Sequence, residues 1–61
     1  MTDIQKKLYR RLSGLKTPRS VADLATHFYL SHSTVYNALI DLQEKNLVEH
    51  LGYGKGWRVV R

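Results

Sequence analysis

Side chains that form hydrogen bonds readily are concentrated in one short stretch near the middle of the chain. Positions 31–37 read Ser-His-Ser-Thr-Val-Tyr-Asn. Short hydroxyls and a carboxamide suit hydrogen bonding to phosphate oxygens and base edges, and asparagine can bond adenine through two hydrogen bonds. Tyr36 can reach a phosphate or pack on a thymine methyl group. The stretch therefore indicates recognition by hydrogen bonding.

The same residue types give little support to catalysis or metal binding. His27, His32 and His50 stand at spacings that match no zinc motif, and the chain has no cysteine. Each serine has a local explanation as a helix cap or an exposed hydroxyl, so no Ser-His-Asp set is supported. Gly54-x-Gly56 is typical of a hairpin turn and not of a nucleotide-binding loop. We predict no enzyme activity, no metal site and no cofactor.

Length and charge narrow the class of protein further. The chain has 61 residues, with 10 Lys and Arg against 5 Asp and Glu, and a net charge of +5. This length predicts a single domain over 1–61, with no room for a domain that binds a small-molecule effector. A basic chain favours binding partners that are polyanions, and nucleic acid is a better candidate than an anionic membrane. No apolar run is long enough to cross a bilayer and the first residues lack a signal-peptide core, so we expect no membrane partner and a cytoplasmic protein.

Apolar spacing predicts three helices. The first covers residues 3–13, begins at Thr2 or Asp3 and ends at Gly14. The second starts at Val21 after a Ser20 cap, and the Pro18 connector before it permits one short edge strand. The third follows a Ser31 cap and ends near residue 45.

The third helix has the clearest periodicity. Val35, Ala38, Leu39 and Leu42 recur at the spacing of a buried helical face. The opposite face is then predicted to carry Ser33, Tyr36, Asn37 and Ile40, with Ser31, His32 and Thr34 at or near the helix start.

Residues after 46 predict a β-hairpin. Two strand-like runs, 47–51 and 57–61, flank a segment with three glycines in five residues. Trp57 and Val59 share one strand face, which we assign to the core. The direction of Val48, Leu51 and Val60 stays open at this point. Lys55 falls at the tip of the loop, and Arg58 on the strand face opposite Trp57.

The order of these elements resembles the winged helix-turn-helix domains of small bacterial and phage transcriptional regulators. Residues 21–40 fit the helix-turn-helix pattern, with Ala25 at the position of close helix crossing. The segment Gly54-Lys55-Gly56-Trp57 is similar to the wing of the biotin-repressor DNA-binding domain. Two positions depart from the family pattern, because Tyr29 and Asn46 stand where glycine is common.

The resemblance implies an α+β fold with three helices, a C-terminal β-hairpin wing and a short edge strand between the first two helices. It also implies a transcriptional regulator, such as a repressor, that binds double-stranded DNA with the third helix in the major groove and the wing on the backbone or minor groove. So short a domain offers few contacts, which favours a homodimer on DNA. The expected DNA-binding residues are Arg19, Ser31, His32, Ser33, Thr34, Tyr36, Asn37, Ile40, Lys55 and Arg58.

Two alternatives belong to other classes of function. The first is a protein-interaction module of the same fold, in which Tyr29, Tyr36, Ile40 and Tyr53 form an adhesive surface. The second is a domain for left-handed duplexes, which pairs an asparagine in the third helix with a tryptophan in the wing. Asn37 and Trp57 match that pair, but Asp41 stands where that class has a tyrosine.

Overall fold

The fold contains three helices followed by a two-stranded antiparallel hairpin. A computed structural model describes residues 1–52 and 54–60; Tyr53 and Arg61 lie outside the described residues. The helices are α1 (Asp3–Ser13), α2 (Val21–Phe28) and α3 (His32–Glu44), and the strands are β1 (Val48–His50) and β2 (Trp57–Val59). This small α+β architecture agrees with the predicted order of elements and is compatible with a winged-helix layout.

Each helix begins where a hydroxyl side chain can cap it. Thr2 and Gln5 form a reciprocal capping box at the start of α1, in which the Thr2 Oγ1 accepts from the Gln5 backbone N–H at 3.1 Å. Ser20 caps α2 and Ser31 caps α3 through a single bond each, in which the serine hydroxyl accepts from the N–H group of Asp23 or of Thr34. Hydroxyl caps satisfy N–H groups that lack a partner within the helix. The predicted starts are confirmed.

The turn between α2 and α3 adopts the tight geometry without a glycine. Tyr29 takes the left-handed conformation with φ of 57°. The Leu30 N–H then donates to the Ala25 carbonyl at 2.9 Å, and the Tyr29 N–H donates to the Thr26 carbonyl. These two bonds form a Schellman motif. The departure from glycine at position 29 therefore leaves the turn intact, with the strain that a bulky left-handed residue carries.

A second Schellman motif ends α3. Asn46, which stands where glycine is common in the family pattern, has φ of 61°. The Leu47 N–H donates to the Leu42 carbonyl at 3.0 Å and the Asn46 N–H to the Gln43 carbonyl at 2.9 Å. Asparagine tolerates this conformation better than other residues with side chains. The motif directs the chain from α3 straight into β1.

The hairpin is shorter than the two runs of the sequence suggest. Val48 pairs with Val59, Glu49 with Arg58 and His50 with Trp57. The predicted edge strand is a single residue: Arg19 exchanges two backbone hydrogen bonds with Trp57, at 2.8 and 3.0 Å. β2 thus lies between β1 and Arg19, and the connector before α2 is attached to the hairpin.

The core lies where all five elements meet. Val35, Ala38, Leu39 and Leu42 are buried, which confirms the predicted inner face of α3. The hairpin contributes Trp57 and Val59 as expected, and the structure answers the open question by burying Val48, half-burying Leu51 and exposing Val60. Leu8 and Leu12 of α1 and Leu24 and Ala25 of α2 complete the core.

A buried glutamine fixes α1 against α3. The Gln5 side chain is only 6% exposed. Its Nε2 donates to Asp41 Oδ2 at 3.1 Å, and its Oε1 lies 3.5 Å from the ammonium of Lys45. A buried amide requires such partners because an unsatisfied one is costly. The start of α1 is therefore anchored on the C-terminal half of α3.

Among the residues that the structure describes, no helix is both long enough and apolar enough to cross a membrane.

Candidate functional site

The candidate site is the outward side of the N-terminal half of α3. Ser33, Tyr36 and Asn37 are exposed there, as the helical phase predicts. Tyr36 is 50% exposed, and the described contacts include no hydrogen bond that occupies the Asn37 carboxamide. These hydroxyl and amide groups are free to bind a partner outside the chain.

The start of α3 presents polar groups without a carboxylate. Ser31 and His32 are exposed, while Thr34 is half-buried and its Oγ1 accepts a hydrogen bond from the Ser31 hydroxyl at 2.8 Å. Asp3 and Asp23 lie in the first turns of α1 and α2, whereas the first turn of α3 has no acidic residue. An acidic residue would compensate the positive end of a helix dipole. The start of α3 is thus left favourable to an anion.

Ser31 serves two purposes at this position. Its Oγ accepts from the Thr34 backbone N–H at 3.1 Å, which is the capping bond, and its hydroxyl is also bonded to the Thr34 side chain. Both groups are therefore engaged within the helix turn. They position the helix start, whereas the side chains of Ser33 and Asn37 form no hydrogen bond with the residues that the structure describes.

An aromatic contact joins α3 to the hairpin. The Tyr36 and Trp57 ring centroids are 6.4 Å apart and the rings meet nearly edge to face, at 80°. Such edge-to-face pairs are favourable, and this one joins a half-exposed ring to an indole only 3% exposed. The buried Trp57 therefore positions the Tyr36 ring at the site.

His50 belongs to the same cluster, although its spacing in the sequence does not predict this contact. Its ring lies 4.7 Å from the Trp57 ring at a tilt of 34°, on the same hairpin face as Trp57, and the His50 residue is exposed. The reason is the register, which places His50 directly across from Trp57. Strand alternation alone could have grouped His50 with Val48, but the partner across the hairpin depends on the turn and not on the strand.

Ile40 departs from the predicted outward face. The side chain is half-buried and packs against the core. A helix of radius about 2.3 Å packed against both α1 and the hairpin has a wider buried side than a single stripe of four residues indicates. Its assignment as an exposed contact is therefore corrected to the margin of the site.

The predicted cations are dispersed around the molecule. Lys55 is exposed in the turn, where its N–H donates to the Gly52 carbonyl at 3.1 Å. Arg58 lies on the hairpin face opposite Trp57, as predicted, but its Nε is bonded to Glu49 Oε1 at 2.5 Å. This exposed ion pair neutralises the charge of Arg58, which the sequence analysis expected to contact DNA.

Arg19 is the third predicted cation. Its guanidinium donates to the Thr17 hydroxyl at 2.6 Å and to the Pro18 carbonyl at 3.2 Å. The side chain lines an open depression beside α2, together with Arg11 and His27. The backbone N–H and carbonyl of Arg19, in contrast, are hydrogen-bonded to the backbone of Trp57. Arg19 therefore flanks the aromatic cluster without lying on the outward side of α3.

Two acidic residues limit the site on the other side. Asp41 and Glu44 are exposed on the C-terminal half of α3. Asp41 is engaged with Gln5, while Glu44 has no ion pair among the described residues. The acidic half would repel an anion, so the arrangement suits an anionic partner only at the N-terminal half.

Metal binding receives no support within residues 1–52 and 54–60, where no three His, Asp or Glu side chains converge. Comparisons with protein families, with curated proteins and with solved structures found no match to this chain.

Proposed function

We propose that the chain is a winged helix-turn-helix domain that binds double-stranded DNA and acts as a transcriptional regulator in the cytoplasm. The observation that carries the proposal is the outward side of α3, where Ser33, Tyr36 and Asn37 stand exposed beside the hairpin. An α-helix fits the major groove, and its N-terminal half meets the base edges.

The attachment of neighbouring elements supports this docking. The Schellman turn at Tyr29 sets α2 against α3. Trp57 packs in the core, contacts Tyr36 and is bonded to Arg19 through the backbone. A recognition helix must be held at one angle for its side chains to reach specific base edges, because the duplex presents those edges in a fixed geometry.

Roles at the interface follow from side-chain chemistry. Asn37 reads adenine through its carboxamide, and Tyr36 packs on a thymine methyl or bonds a phosphate. Ser33 and the start of α3 bond phosphate oxygens. Lys55 and Arg19 contact the backbone on either side, and Arg58 joins them only when the Glu49 pair opens.

Selection from a random duplex library, followed by titration of the winning sequence, tests the proposal. Asn37→Ala should lose roughly 1–3 kcal/mol on the selected duplex and almost nothing on unrelated DNA. Gln43→Ala is the matched control: it removes another exposed carboxamide from the same helix, outside the site. Equal losses for both variants, or no enrichment in the selection, would contradict base reading by α3.

A protein-interaction module remains the second candidate function, and one observation favours it. Tyr29 is 95% exposed and held in a strained backbone conformation. Strain of this kind often accompanies a functional contact. This candidate would be supported over the first if the chain associates with a protein, if that association does not weaken with salt, and if the chain has no affinity for DNA.

A further inference from the structure

α1 carries a concentration of positive charge that the candidate site does not use. Lys6, Lys7 and Arg10 are exposed and Arg11 is half-buried; these four residues form the α1 basic face. Asp3 is the one acidic residue of the helix. The ion pair at Arg58 and Glu49 does not involve this face, and the structure, where it describes the chain, pairs none of the four with a carboxylate.

The spacing of these charges is unfavourable to the isolated helix. Lys6 and Arg10, like Lys7 and Arg11, are four residues apart, so each pair stands on adjacent turns. Like charges at this spacing destabilise a helix. Only the arginines in the last turn gain from the helix dipole. An external polyanion would convert this repulsion into attraction.

The α1 basic face points away from the candidate site. α1 buries Gln5, Leu8 and Leu12 against the rest of the molecule, and the Gln5 side chain is bonded to α3. α3 in turn buries Val35 and Leu39. Because α1 buries the side that carries Gln5 and is bonded to α3, its basic face turns away from α3. We therefore expect a straight duplex held by the outward side of α3 to leave the α1 basic face free.

The chemistry of the face favours the backbone of nucleic acid over other polyanions. Leu8 and Leu12 are buried in the core, so they are not available to insert into a bilayer. Protein interfaces are built around apolar and aromatic anchors, whereas the outward side of α1 carries Lys6, Lys7 and Arg10 with the single carboxylate of Asp3. A phosphate backbone needs only such charges, since binding is driven by the release of condensed counterions.

We propose that the α1 basic face binds the phosphate backbone of a second DNA duplex, so that one molecule bridges two duplex segments. The inference rests on the proposed function, because α3 holds the first duplex. Contact through α1 carries no sequence preference and weakens steeply with salt. The chain then joins a specific site to neighbouring DNA of any sequence.

A capture assay tests the bridge. The selected duplex is immobilised and saturated with protein, and retention of a labelled duplex of unrelated sequence is measured. The triple variant Lys6→Gln, Lys7→Gln, Arg10→Gln removes three positive charges. Glutamine is a good helix former, so α1 should remain helical. The matched control, Lys6→Arg, Lys7→Arg, Arg10→Lys, keeps them. Circular dichroism checks that both variants are folded.

The wild-type chain and the charge-preserving control should retain the second duplex at low salt. The glutamine variant should retain less than about a tenth of that amount while occupying the immobilised site within about twofold of the wild type. Each other outcome overturns the bridge. If wild-type protein occupies the immobilised site but retains no second duplex, the molecule does not bridge two duplexes. If the glutamine variant retains as much second duplex as the wild type, a protein dimer accounts for the bridging.

Two further results separate this inference from the proposed function. If the wild-type chain does not occupy the immobilised duplex at all, the proposed function fails and the bridge fails with it. If the chain instead binds phosphatidylserine vesicles through the same three residues and retains no second duplex, the α1 basic face is a membrane contact, while binding by α3 stands.

Discussion

Gly56 is the residue at which the hairpin and the connector before α2 come closest. Its φ of 89° lies in the left-handed region, and a Cβ placed there would stand 2.7 Å from the Arg19 carbonyl oxygen. Both the conformation and the space therefore require glycine. The backbone pairing of Arg19 with Trp57 depends on this close approach, so the position of the hairpin depends on it as well.

Gly56→Ala should destabilise the fold by roughly 3 kcal/mol or more, because backbone atoms must separate to admit the methyl group. Gly54→Ala is the matched control. Gly54 also has positive φ, at 76°, but nothing lies within 4 Å of its Cβ position. The control should lose only about 1 kcal/mol. Chemical denaturation measures both, and equal losses would mean that the contact with Arg19 is absent.

Tyr29 stores strain at the turn between α2 and α3. Tyr29→Gly should stabilise the fold by roughly 0.5–1 kcal/mol, since relief of the left-handed cost exceeds the added entropy of the unfolded chain. Asn46→Gly, at a position of similar φ, should change stability by less because asparagine already tolerates that conformation. Thermal unfolding compares the two. A loss of stability in Tyr29→Gly would show that the exposed ring makes a favourable contact.

At the scale of elements, α3 is divided into an uncharged N-terminal half and an acidic C-terminal half. Glu44 is exposed on the outward side and lacks an ion pair in the described part of the chain. If α3 enters the major groove by its N-terminal half, Glu44 faces the phosphates at the rim of the groove. Its charge then opposes binding and restricts how deeply the helix can enter.

Glu44→Gln should therefore tighten binding to duplex DNA by roughly two- to fivefold, since one charge pair a few ångströms apart in water contributes at most about 1 kcal/mol. Asp23→Asn gives the same net charge but removes the exposed carboxylate from the start of α2, outside α3 and the α1 basic face. Equilibrium titration at low salt should separate the two variants. Equal gains would indicate a general charge effect, and the assigned orientation of α3 would then be wrong.

The sequence predicts these elements well because their boundaries depend on local chemistry. Ser20, Ser31 and Asn46 cap helices through bonds within a few residues, and the inner face of α3 follows from its period. The contacts of His50 and Arg58 could not be predicted, because each depends on the hairpin register. Ile40 was misplaced since the breadth of a buried face is decided by neighbouring elements.

At the scale of the molecule, one small core fixes the relation between α3 and the hairpin. Trp57 is buried, touches Tyr36 and is bonded to Arg19, so a single residue links three parts of the candidate site. The net charge of +5 is carried largely by α1, away from that site. Affinity through α3 should therefore depend more on hydrogen bonding and shape than the overall charge indicates.

The central claim is that the N-terminal half of α3 and the adjoining hairpin form the surface that binds DNA. Chemical-shift mapping of the ¹⁵N-labelled protein with its selected duplex tests it most directly. The amides of Ser33, Tyr36 and Asn37 and the indole of Trp57 should show the largest changes, followed by Lys55. Changes confined to residues outside α3 and the hairpin, or none during the titration, would contradict the claim.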